Sequence, residues 1–107
     1  MQRKTCLIIG GKSKVGIALS RKFARENFNI ILSGREIDQL KEEKKFIEEK
    51  YLIKCKLVEF DILNFTNHEK FIMEIEKILK SFNGEKKLLM PNIIVSVVGK
   101  LNIYDNE

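Results

Sequence analysis

The chain has 107 residues, 44 % apolar and 33 % charged, with a formal net charge of +5 at pH 7. That is the size and balance of one globular domain. No apolar run approaches the roughly 18 to 20 residues that cross a bilayer, and the apolar stretch near the N-terminus is too short for a signal peptide, so the sequence predicts a cytoplasmic protein with no membrane partner.

The elements follow in chain order. Thr5 to Ile9 is a short apolar run that ends in Gly10 and Gly11, which predicts a buried strand. Val15 to Glu26 carries apolar groups at Val15, Ala18, Leu19 and Phe23, a helical spacing. Asn29 to Leu32 is strand-like and closes at Ser33-Gly34. Ile37 to Lys50 is highly charged, with apolar anchors at Ile37, Leu40 and Ile47, and predicts a surface helix. Lys54 to Phe60 predicts a third strand. Thr66-Asn67-His68-Glu69 fits a capping box. The helix after it has an apolar stripe of Phe71, Ile72, Ile75, Ile78, Leu79 and Phe82, and ends at Asn83-Gly84. Asn92 to Val98 predicts a fourth strand, ending at Gly99. Cys6 and Cys55 both fall in strand-like runs and read as buried thiols. Met73 and Phe71 read as core, and His68 as an exposed first-turn residue rather than a metal ligand.

Strict alternation of strand and helix predicts an α/β, three-layer Rossmann-type fold. Four parallel strands lie in the order 3-2-1-4, with helices on both faces, in a single domain over residues 1–107. A ligand is then expected beyond the carboxyl ends of the strands. That is where "GGKSKVG" sits, Gly10 to Gly16. A loop from a strand into a helix exposes first-turn amides that have no partner within the helix, and these attract a phosphate. Gly10 or Gly11 permits the turn, and Gly16 lets helix and strand approach closely. The cofactor-binding candidates of this loop are Gly10, Gly11, Lys12, Ser13, Lys14, Val15 and Gly16. A GxxxxGK[ST] phosphate loop is rejected, because Ile17-Ala18 stand where Lys and Ser/Thr are needed. At the end of strand 2, where an acid would bind the ribose 2′-hydroxyl of NAD, the first charged residue is Arg35. A guanidinium suits a 2′-phosphate, so NADP is the preferred cofactor, and Glu36 keeps NAD open.

Together, "LIIGGKSKVGIAL", "IILSGR", "FDI" and "NIIVSVVG" resemble the N-terminal part of the short-chain dehydrogenase/reductase family, in order and separation, over essentially the whole chain. The resemblance implies that the loop cradles the cofactor pyrophosphate. It also implies that Asp61 approaches the adenine amino group, that Ile62 lines the adenine pocket, and that Gly99 lies where the chain passes the cofactor ribose. Full-length relatives move a hydride between NADP(H) and a carbonyl or alcohol carbon. The sequence departs from the family pattern in three places: Ile9 stands for the threonine before the first glycine, Lys14 for the middle glycine, and Ser96-Val97-Val98-Gly99 for NNAG.

The family's YxxxK catalytic pair is absent. Tyr51 is followed four residues later by Cys55, and Tyr104 lies three residues from the end. The sequence therefore predicts cofactor binding without catalytic residues. It also predicts a truncated fold whose strand-4 edge is covered by a second copy or by a missing C-terminal half. The alternative is an inactive interaction module that uses that edge. Lysines interleaved with glutamates, as in KEEKKFIEEK, predict a solvated helix face, and nucleic acid is not an expected partner.

Overall fold

A computed structural model describes residues 3–61, 68–83 and 91–97. In chain order these form β1 (Thr5–Ile9), α1 (Lys14–Arg25), β2 (Asn29–Gly34), a 3-10 helix (Ile37–Leu40), α2 (Lys41–Tyr51), β3 (Cys55–Glu59), α3 (His68–Asn83) and β4 (Ile93–Ser96). The strands make one parallel sheet in the order β3-β2-β1-β4, as predicted. Leu7 stands beside Ile31 on one side and Ile94 on the other.

Side chains alternate between the two faces of the sheet. Cys6, Ile8, Ile30, Leu32 and Cys55 bury toward Ile37, Leu40 and Ile47 on the α1–α2 side. Leu7, Ile31 and Val58 bury toward Ile75 and Leu79 of α3. The three anchors predicted for the charged segment are all buried, and so are both cysteines.

α1 is anchored at both ends. Ser13 caps it, its Oγ accepting from the Gly16 amide at 2.9 Å. At the other end Asn27 adopts φ 73°. The Phe28 amide reaches back to the Phe23 carbonyl, the Asn27 amide bonds the Ala24 carbonyl, and the Phe23 and Phe28 rings meet edge to face at 5.2 Å. This is a Schellman ending with its hydrophobic contact. Arg21 forks onto the two Glu43 oxygens at 2.7 and 2.8 Å and lies 4.5 Å from the Phe46 ring centroid, tying α1 to α2.

Four expectations are corrected. Val15 is 58 % exposed, and Ala18 is exposed as well; α1 instead buries Gly16, Ser20 and Ala24. These fall one turn apart, and small side chains there let the helix lie close to the sheet. The segment from Ile37 begins as a 3-10 helix before α2, because Glu36 turns the backbone into the left-handed region. On α3, Ile72 and Met73 are exposed, since the helix packs over β1, β2 and β3 through Ile75 and Leu79. His68 is half-buried, its ring 5.3 Å from that of Phe60, which also stacks on Phe71 at 3.8 Å. Thr66, Asn67, Gly84, Val98 and Tyr104 lie outside the described residues.

Candidate functional site

Parallel strands end on one edge, so the turns that follow β1, β2 and β3 gather there. After β1, the amides of Gly10 and Gly11 both donate to the Ser33 carbonyl, at 2.8 and 2.9 Å. Gly10 has φ 95°, and a Cβ there would run into the Val97 carbonyl oxygen. A Cβ on Gly16 would stand 2.5 Å from the Gly10 carbonyl oxygen. Both positions therefore require glycine: Gly10 for its left-handed backbone and the passage of β4, Gly16 for the contact between helix and loop.

The hydrogen bonds of this loop sort its amides into two groups. Gly10, Gly11, Ser13 and Gly16 spend their N–H groups inside the protein. The amides of Lys12, Lys14 and Val15 donate to no protein acceptor among the described residues. Lys14 and Val15 open α1, so their N–H groups carry the positive end of the helix dipole. The first turn holds no acidic residue, and Lys14 is itself exposed there. The field at this end is positive and its donors are free, which is the chemistry that holds a phosphate. The Ser13 hydroxyl, a cofactor-binding candidate from the sequence, bonds within the loop. It accepts from Gly16 and donates to the Gly10 carbonyl at 3.2 Å, so it shapes the loop.

The turn after β2 carries Arg35, exposed, and then Glu36 at φ 51°, ψ 44°. The Glu59 carboxylate, at the end of β3, accepts from the Glu36 amide at 2.9 Å and the Ile37 amide at 3.1 Å. It thereby caps the 3-10 helix from a neighbouring strand. The Glu36 carboxylate reaches the other way and accepts from Lys12 Nζ at 2.9 Å. That pairing holds the Glu36 carboxyl below its usual range. Asp61, half-buried, follows Phe60, whose amide donates to the Gly34 carbonyl at 2.9 Å. The loop residues 10–16, Arg35 and Asp61 thus share one edge of the sheet; Ile62 and Gly99 lie outside the described residues.

Sequence reading missed three contributors: the Ser33 carbonyl, Glu36 as the partner of Lys12, and Glu59. Each acts across 22 to 24 residues of chain, and no local pattern marks them. The Ser13 cap did leave a signal, a serine directly before the first helical residue.

Among the described residues no tyrosine stands at this edge. Tyr51 ends α2, the helix that returns to the opposite edge of the sheet, and its ring meets Phe46 at 6.4 Å. Burial pushes the thiols of Cys6 and Cys55 up to about 12, which keeps them protonated and unreactive. Among the described residues no three His, Cys, Asp or Glu side chains gather as a metal site requires, and no helix is long and apolar enough to cross a membrane.

No family model matches the sequence, and no curated protein matches it. Solved structures do. L-sorbose reductase from Gluconobacter frateurii, complexed with NADPH and L-sorbose, is 23 % identical over 92 % of this chain and 34 % of its own, with a TM-score of 0.69. An alcohol dehydrogenase from Thermococcus sibiricus, complexed with 5-hydroxy-NADP, is 22 % identical over 76 % of this chain and 33 % of its own, at 0.66. A short-chain dehydrogenase from Sphingobium yanoikuyae, in complex with NADPH, is 18 % identical over 69 % of this chain and 29 % of its own, at 0.63. The chain thus spans about a third of the length of these proteins. Its fold is that of the N-terminal part of short-chain dehydrogenases/reductases.

Proposed function

We propose that this chain is the dinucleotide-binding part of a short-chain oxidoreductase, with NADP(H) preferred over NAD(H). The observation that carries the reading is the set of free amides on Lys12, Lys14 and Val15 at a helix start that has no acid in its first turn. Gly10 and Gly16 support that loop by letting it close against β4 and α1, where a side chain would meet the Val97 or the Gly10 carbonyl oxygen. Arg35, exposed at the end of β2, is the group for the 2′-phosphate. Asp61 serves the adenine, and Ile62 and Gly99 complete the adenosine and ribose contacts. The solved structures of like fold were crystallised with NADPH or a derivative of NADP, in agreement with that preference.

When bound, the nicotinamide would supply hydride chemistry with a carbonyl or alcohol carbon. This chain's residues hold and orient the adenosine and diphosphate half. The sequence has no YxxxK pair, so the chain as given binds without turning over. Titration of NADPH and NADH against the folded chain tests the reading. NADPH is expected to bind more tightly by on the order of tenfold, what one charge-assisted contact contributes. Equal affinity overturns the NADP preference, and absence of binding overturns the cofactor reading.

A second reading rests on β4. Among the described residues it is the last strand of the sheet, and Ile94 is 49 % exposed. Such an edge is a template for another strand, from a second copy or from the remainder of a longer enzyme. Sedimentation of the chain decides: a monomer at all concentrations removes self-association.

A further inference from the structure

The turn after β2 does not hold its shape unaided. Glu36 takes φ 51°, ψ 44°, a left-handed backbone that disfavours residues with a Cβ. The 3-10 helix that follows has no side-chain cap from its own first residue. The clamp comes from another strand. One Glu59 carboxylate oxygen accepts from the Glu36 amide at 2.9 Å, and the other accepts from the Ile37 amide at 3.1 Å. Glu59 reaches them because it is the register partner of Gly34 in the last pair between β2 and β3. Gly34 in turn lies close to the glycine loop: a Cβ there would stand 3.7 Å from the Gly11 nitrogen. The clamped turn therefore borders the loop whose free amides are read as the diphosphate site.

We propose that Glu59 is a positioning residue. From the end of β3 it holds the turn after β2 in the shape that receives the nucleoside of a ligand whose diphosphate lies on the glycine loop. The proposal rests on the dinucleotide reading above and adds a residue that acts through the backbone of Glu36 and Ile37. Its sign is opposite to that of charge alone. A bare carboxylate beside an anion site repels the anion, so removing it should tighten binding. Here the carboxylate is engaged by two N–H donors. Without it, residues 35–37 are released from the left-handed turn and the nucleoside loses its wall. The diphosphate keeps its donors on Lys12, Lys14 and Val15.

Calorimetry with adenosine 5′-diphosphate and with inorganic pyrophosphate tests the proposal, on the parent chain and on two variants. Glu59→Gln keeps the reach and removes the charge, and its amide nitrogen would face one of the two N–H groups. Glu59→Asp keeps the charge and withdraws it by one methylene. Each is expected to weaken the nucleotide about 3- to 10-fold, a part of what two bonds to a carboxylate contribute. Pyrophosphate should change by less than about 2-fold. Charge alone would instead tighten both ligands in Glu59→Gln and leave both unchanged in Glu59→Asp. Loss of folding stability alone would leave the affinity ratio of the folded variants at the parent value. Hydrogen exchange at the Glu36 and Ile37 amides should quicken in both variants, and unchanged exchange there overturns the clamp. If Glu59→Gln fails to fold, Glu59→Asp carries the same comparison. If the parent binds both ligands and the variants shift them together, or tighten the nucleotide, the proposal falls and the dinucleotide reading stands. If the parent binds neither ligand, the dinucleotide reading falls and takes the proposal with it.

Discussion

β2 and β4 are both short apolar strands, NIILSG and IIVS, yet they live in different surroundings. Every residue of β2 is buried, whereas β4 alternates between half-buried and exposed. The cause is position. β2 pairs with β1 and β3, and apolar side chains from α1, α2 and α3 cover its two faces. Among the described residues β4 pairs with β1 alone; Ile93 and Val95 lean on the α1–α2 core, while Ile94 points to the other face, where α3 packs on Leu7, Ile31 and Val58. Composition limits what a strand is able to bury, and its place in the sheet decides what it does bury.

The largest test of that contrast is a pair of truncations. Ile31→Ala, at a fully buried position, should destabilise by about 3 to 4 kcal/mol, whereas Ile94→Ala should cost less than about 1 kcal/mol. Urea denaturation measures both, and equal losses would break the comparison. The next test uses the thiols. Cys6 and Cys55 have pKa values raised from 9.0 to about 12. In the unfolded chain they ionise near 9, so the folded state holds its protons more tightly between those values. The thiols' contribution to stability is complete below about pH 9 and is lost as pH rises toward 12. Denaturation midpoints across that range should fall. A disulfide-exchange reagent at pH 8 should label neither cysteine until the protein unfolds. The smallest effect belongs to the edge. Asn92 Oδ1 accepts from the Thr5 amide at 2.8 Å, while the Asn92 amide donates to the Thr5 carbonyl at 2.9 Å. Asn92→Ala removes the first of these bonds and should cost about 1 kcal/mol. Hydrogen exchange should quicken in β4 and at Thr5 and stay unchanged in β2.

Much of the architecture was legible because period and punctuation agree. Apolar runs that end in glycine gave β1 and β2, and spaced anchors gave the charged helix. The misreadings have one physical source. Sequence periodicity treats a large apolar side chain as evidence of burial, but α1 meets the sheet through Gly16, Ser20 and Ala24 and leaves Val15 outside. Met73 and Ile72 were misjudged in the same way, since the choice of buried face on α3 depends on which strands lie beneath it. At the candidate site the glycine loop and Arg35 could be found from their neighbours in the chain. The Lys12–Glu36 bridge and the Glu59 cap could not, because each joins the ends of different strands.

The Ser33 carbonyl has a consequence for how the glycine loop behaves over evolutionary time. One main-chain oxygen on the adjacent strand takes both glycine amides, and the side chain at position 33 plays no part in those two bonds. The cradle is thus templated by an atom that point mutation cannot delete. Drift is confined to the outward side chains, because Gly10, Gly16 and the Ser13 hydroxyl hold the loop's form from within.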